Sequence, residues 1–217
     1  MEGIIYKVQP YQEHARLLFV YSKVGKKTLL AQGAQKTNNI HRILAQYLTR
    51  IEFKDLPKSF YTLSDAKILD DFKEIKSDFN HTKSAALILE IIDQMTIDDD
   101  MHEVIYDEMI SALKAKHIEI SALSFALKML RPLGYQIDFH VDGRAVKGFN
   151  TNLSRIIYQE EVHPVDLDIK ETTLILKLSM LPYDDLETIS TPQYVHLKSF
   201  ILKYYQYHLQ TTLKNLQ

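Results

Sequence analysis

The apolar positions of this chain change rhythm once. Over the first sixty residues they fall in short runs or alternate with polar ones, and positions 4–8, 16–22, 27–31, 47–54 and 60–63 read as strands. Turn signals lie between them: Gln9-Pro10-Tyr11, the lone Gly25 in Lys23-Val24-Gly25-Lys26, and Asp55-Leu56-Pro57-Lys58. Gly25, ahead of two lysines, predicts a hairpin turn carrying positive charge. From about Ala66 the spacing becomes helical, with Phe72, Ile75, Phe79, Thr82, Ala86, Leu89 and Ile92 on successive turns. Asp98-Asp99-Asp100 then reads as the acidic start of a helix over 101–114, and a further helix over 121–130 ends in Arg131-Pro132-Leu133-Gly134-Tyr135. Positions 136–170 are polar and irregular, and 172–181 is an apolar run that fits strand or helix. After Pro192, a stripe of Tyr194, Leu197, Phe200, Ile201, Tyr204, Tyr205, His208 and Leu209 predicts a C-terminal helix.

Five short strands in sixty to eighty residues suggest a small barrel, and the oligonucleotide-binding (OB) fold is one economical version. The expected class is therefore α+β, with an OB β-barrel over 1–78 and a mainly α-helical domain over 79–217 that contains an irregular insertion at about 136–170. A length of 217 residues with 46% hydrophobic content permits two such cores without requiring them.

Charge sharpens this division. The net charge of −2 conceals ten Lys/Arg against four Asp/Glu in residues 1–60 and six against fourteen in 61–125. A polyanion would therefore meet the first segment, although a merely solvated basic surface gives the same count. No leader-like segment and no apolar run of the roughly 20 residues needed to span a bilayer is visible, so the expected compartment is the cytoplasm and no membrane partner is expected. The chain has no Cys, which excludes disulfides and thiolate metal sites.

Catalytic apparatus is not legible. Six glycines form no phosphate-cradling loop, and nine histidines do not fall at metalloprotease spacing. His140 with Asp142, and His163 near Glu160 and Glu161, could share a metal, but solvated turns explain them more simply. The chain is expected to be no enzyme and to carry no cofactor. Among the 13 Tyr, Tyr6, Tyr11, Tyr21 and Tyr47 interleave with the basic head and are candidates for base stacking, whereas Tyr204, Tyr205 and Tyr207 sit at helical packing positions.

Several segments taken in order resemble one family. Met1-Glu2-Gly3-Ile4-Ile5, Tyr11 with Glu13, Gly25-Lys26 and Ala31-Gln32-Gly33-Ala34-Gln35-Lys36 resemble the opening of the bacterial recombination mediator family RecO. Asp65 to Phe72 is similar to that family's junction, Phe125 to Tyr135 to its helix ending in Leu-Gly-Tyr, and Phe200 to Leu209 with Leu213-Lys214 to its last helix. The resemblance implies binding of single- and double-stranded DNA and annealing of complementary strands. It also implies partnership with RecR and with the C-terminal tail of single-stranded-DNA-binding protein, to help load RecA. Two departures stand out: the four-Cys zinc module expected after Leu-Gly-Tyr is replaced by Phe139-His140-Val141-Asp142-Gly143, so no zinc is expected, and Gln35 stands where the family tends to place a basic residue.

On this reading Lys7, Arg16, Lys23, Lys26, Lys27, Lys36 and Arg42 form the phosphate-binding surface, without base readout. Lys128 and Arg131, beside apolar residues of their helix, are candidates to receive the acidic, aromatic-ended tail; exposed helix charges of no special role are the alternative. The competing function is a protein–protein adaptor with little intrinsic DNA binding.

Overall fold

The structure, a computed structural model, describes residues 1–36, 41–58, 60–95 and 101–217. The expectation about Asp98-Asp99-Asp100 lies outside the described residues. Two compact units divide the chain, Met1–Ile110 and Ser111–Gln217. In space, the first long helix and most of the next therefore go with the strands.

The first unit is built on a six-stranded sheet in the order β5-β3-β2-β1-β4-β6, curled into a half-barrel. Strands β1 (Glu2–Tyr11), β2 (Ala15–Ser22) and β3 (Gly25–Ala31) form an antiparallel meander. β4 (Arg50–Glu52) returns antiparallel to β1, β5 (Phe60–Thr62) lies parallel to β3, and β6 (Lys67–Asp70) pairs with β4. Alternation drives the curl: Leu18, Val20, Leu29, Ala31, Ile51, Phe53, Tyr61 and Leu63 point to one shared interior. In β1 both Ile5 and Tyr6 are buried because both sides of the strand are covered: Ile5 faces the shared interior, while Tyr6 lies on the other side against Phe19, and the register shift between Ile5 and Lys7 brings Lys7 to that side as well. Gly3 lets β1 approach β2, since a Cβ there would sit 2.4 Å from Val20 Cγ1 and 2.9 Å from the Tyr21 carbonyl oxygen. Gly25, at φ +102°, makes the expected β2–β3 turn, where the Ser22 hydroxyl donates to its carbonyl at 2.9 Å.

The single-turn helices α1 (His41–Leu44) and α2 (Lys73–Lys76) precede α3 (Phe79–Gln94), which packs against β1. The Asp78 side chain caps α3 by accepting from the His81 amide at 2.9 Å. α4 (His102–Lys114) follows. The helical rhythm from Ala66 thus begins later than its spacing suggests. Residues 67–70 are an edge strand with half-exposed Ile68 and Leu69, and a strand of four residues is too short to show its period.

In the second unit α5 (Ile118–Lys128) is apolar around nearly its whole circumference, and residues 120–127 are all buried, as expected of a central helix. α6 (Ile169–Met180) and α7 (Thr191–Leu209) pack on it. The ambiguous run at 172–181 is therefore helical, and its deciding signal is a capping box in which Asp168 Oδ1 accepts from the Glu171 amide at 2.8 Å while Glu171 Oε2 accepts from the Asp168 amide at 2.9 Å. Residues 136–170 are not wholly irregular. They contain a hairpin of β7 (Val146–Asn150) and β8 (Arg155–Tyr158), whose Phe149 is fully buried and meets Phe200 edge-on at 5.8 Å.

Candidate nucleic-acid interface

The register of the meander decides where the candidate cations project. Phe19 lies opposite both Lys7 and Thr28, and Tyr21 lies opposite Lys26, so Lys7, Phe19, Tyr21 and Lys26 share the outward side, away from the shared interior. That side is partly occupied by helices of the same unit. Lys7 Nζ lies 3.2 Å from Asp93 Oδ2 and 5.4 Å from the centre of the Phe19 ring. Lys26 donates to the carbonyl oxygens of Asp93 at 3.0 Å and Met95 at 2.8 Å, the end of α3, where the helix dipole favours a cation. Burial pushes the Lys26 ammonium below its ordinary pKa, against the pull of Asp93. Lys23 Nζ sits between Glu103 Oε1 at 3.1 Å and Asp107 Oδ2 at 3.0 Å, one turn apart on α4.

Two more candidates are satisfied within the sheet unit. Lys27, whose side chain is only 16% exposed, pairs with Asp55 at 3.4 Å, and Arg16 donates to the Ala45 carbonyl at 3.0 Å. Lys36 and Arg42 differ: both are exposed and neither pairs with a carboxylate among the described residues. Exposed Lys54 and Lys58, flanking a turn that sequence reading treated only as a turn, join them in this respect. Gln35, itself exposed, donates to the Ala15 carbonyl at 2.7 Å.

Of the four aromatic stacking candidates, Tyr6 and Tyr21 are buried, Tyr47 is half-buried and Tyr11 is exposed. Burial, helped by Asp93, pushes the Tyr6 phenol up to about 12. The Tyr21 hydroxyl lies 3.1 Å from His102 Nδ1 and its ring faces Tyr106 at 6.3 Å. Phe60, on edge strand β5, is about half exposed and is an aromatic that the strand pattern did not single out as a site.

In the second unit, Lys128 is half-buried with its ammonium 3.8 Å from the centre of the Tyr183 ring, and Arg131 is exposed. The hairpin is ringed by ion pairs. Arg144 stacks on Tyr158 at 3.8 Å, grips Asp142 at 2.6 Å and reaches Glu160 at 3.2 Å, while Arg155 grips Glu161 at 2.6 Å. The Arg144 guanidinium holds the Asp142 carboxyl down to about 2. The carboxylates weighed as metal ligands beside His140 and His163 are thus held by guanidinium groups. Among the described residues no three His, Asp or Glu are grouped to hold a metal ion.

With the geometry placed, comparison with known proteins gives the family. A profile described as "Recombination protein O C terminal" matches residues 76–217, about two thirds of the chain. The chain belongs to the RecO family. Family relatives include the DNA repair protein RecO of Clostridium acetobutylicum, 26% identical over 69% of this chain and 63% of the relative. That of Clostridium perfringens is 32% identical over 63% of this chain and 58% of the relative, and that of Bacillus mycoides 28% identical over 62% and 56%. The chain spans about three fifths of the length of the relatives it matches. No helix among the described residues is long and apolar enough to cross a membrane.

Proposed function

We propose that this chain is a non-catalytic DNA-repair mediator of the cytoplasm. Its sheet unit meets the phosphates of single- and double-stranded DNA, brings complementary strands together, and acts with RecR and the tail of single-stranded-DNA-binding protein to help load RecA. The observation that carries the reading is the family match over residues 76–217 together with relatives named DNA repair protein RecO. The strand pairing supports an OB-type barrel for the first unit: a three-strand meander, β4 returning to β1, and β5 running parallel to β3. Barrels of this kind bind oligonucleotides on the face of strands 2 and 3 and on the adjoining loops.

All seven candidate cations belong to the proposed surface, with unequal shares. Lys36 and Arg42 have no intramolecular competitor among the described residues and carry most of the phosphate contact; Lys7, Arg16, Lys23, Lys26 and Lys27 must exchange a protein acceptor for a phosphate. Lys128 and Arg131 are proposed for the acidic tail, with Arg131 the more available of the two. The occupied lysines also favour a second reading, an adaptor with little DNA affinity of its own. Fluorescence anisotropy of a labelled single-stranded oligonucleotide separates the two. The mediator predicts salt-sensitive binding that Lys36→Gln/Arg42→Gln weakens and whose salt slope flattens by about 1.4, two phosphates at about 0.7 each. No binding at low salt would leave the adaptor.

A further inference from the structure

On the outward side of β1–β3 and at its β2–β3 turn, Lys7 and Lys23 of the proposed phosphate-binding set already meet carboxylates of the same unit. Asp93 is near the end of α3, and Glu103 and Asp107 project from one face of α4, their oxygens 3.0–3.2 Å from the ammonium groups of Lys7 and Lys23. An ammonium between two anionic oxygens at that distance is the arrangement it adopts on a phosphate backbone. These contacts are open to exchange. The side chains are 47% and 39% exposed in the Lys7–Asp93 pair, and 46%, 68% and 56% exposed for Lys23, Glu103 and Asp107, so each pair is weak and screened by salt.

The helices that carry these carboxylates are held against the sheet. Tyr21 on β2 packs edge-on against His102 at 5.7 Å and against Tyr106, both buried on α4. Gly25 leaves room for the same imidazole, since a Cβ there would lie 2.9 Å from His102 Nε2. At the end of α3, Lys26 ties the Asp93 and Met95 carbonyls to the sheet. When Lys7 or Lys23 swings toward another anion, the negative charges therefore stay beside it.

We infer that Asp93, Glu103 and Asp107 are internal stand-ins for backbone phosphates, competing with bound nucleic acid for Lys7 and Lys23 and holding its affinity down. The inference rests on the DNA-binding reading and names how that surface is regulated. The competition needs no opening of the fold, because exposed side chains exchange in place.

The test is Asp93→Asn/Glu103→Gln/Asp107→Asn, all at exposed positions, titrated against a single-stranded oligonucleotide across a salt series. A control variant, Asp184→Asn/Asp185→Asn/Glu187→Gln, makes the same change in net charge at exposed positions of the other unit. The first variant is expected to bind roughly tenfold tighter at low salt. Its salt slope should steepen by about 1.4, as two more phosphates are neutralised. Adding Lys7→Gln and Lys23→Gln should abolish the gain, and the control should show little of it. Asp107→Asn alone should move affinity in the same direction by less, which guards against a folding defect in the triple variant. If wild type binds and the first variant binds no better, or no better than the control, the competition is refuted while the DNA reading stands. If neither binds at low salt, both fall.

Discussion

The two units hold their charged side chains in different ways. In the sheet unit, lysines meet carboxylates through one ammonium nitrogen across half-exposed surface, as Lys7 does with Asp93 and Lys23 with Glu103 and Asp107. In the hairpin of the second unit, arginines grip carboxylates through several nitrogens at once and stack on an aromatic face, as Arg144 does with Asp142, Glu160 and Tyr158. A lysine ammonium is a mobile point charge that changes partners at small cost, whereas a guanidinium fork fixes the geometry of what it binds. The first kind suits a surface that trades an internal anion for a phosphate. The second suits a loop that must keep its shape in a chain without cysteines.

Buried packing in the second unit gives the largest expected effect. Phe149→Ala removes a fully buried ring from between Phe139 and Phe200 and should lower stability by about 3–5 kcal/mol, read as a urea midpoint. Such a loss should also expose the hairpin to proteolysis before the rest of that unit. Tyr205→Phe removes a buried hydroxyl that donates to the Ala126 carbonyl at 2.8 Å, leaving that oxygen unpaired at a cost of about 1–3 kcal/mol. A change below a few tenths would mean water replaces the hydroxyl.

Acid sharpens the contrast further. Asp142 is held down to about 2, below its unfolded value of about 3.9, so its contribution is fully present above the unfolded value and disappears as pH falls toward about 2. Glu161 is lowered in the same sense by Arg155. Asp142→Asn should therefore lower the urea midpoint near neutrality and flatten its decline between about pH 4 and pH 2, so that variant and wild type converge near pH 2; an unaltered acid limb would show that the network does not couple to folding. The smallest effect is expected from Lys7→Gln, which breaks a pair about 40–50% exposed and should cost less than about 1 kcal/mol. Its consequence should appear in nucleic-acid affinity instead.

The residue pattern reveals the strands of the meander because Leu17 to Tyr21 and Leu29 to Ala31 are short apolar runs bounded by turn signals, and it marks Gly25 because only a turn explains a glycine between two such runs. It missed β6 because Lys67–Asp70 is too short to alternate visibly and runs into helically spaced Phe72 and Ile75. The β7–β8 hairpin was hidden by polar neighbours, although Arg155-Ile156-Ile157-Tyr158 is a short apolar run of β-favouring residues. At the candidate site the cations were legible and their partners were not. Lys7 and Asp93 are 86 residues apart, and Lys23 lies 80 and 84 residues from Glu103 and Asp107. Local pattern carries no trace of pairings at that separation. Lys36 and Arg42, which pair with no carboxylate among the described residues, looked no different from the five engaged cations.

The central claim is that the sheet unit, and not the second unit, receives nucleic acid. Amide hydrogen exchange of the full chain, with and without a saturating single-stranded oligonucleotide at low salt, tests it most directly. The account predicts added protection in peptides from β1–β3 and around Lys36 and Arg42, with little change in the β7–β8 hairpin. Protection confined to residues 111–217, with the meander unchanged, would contradict it.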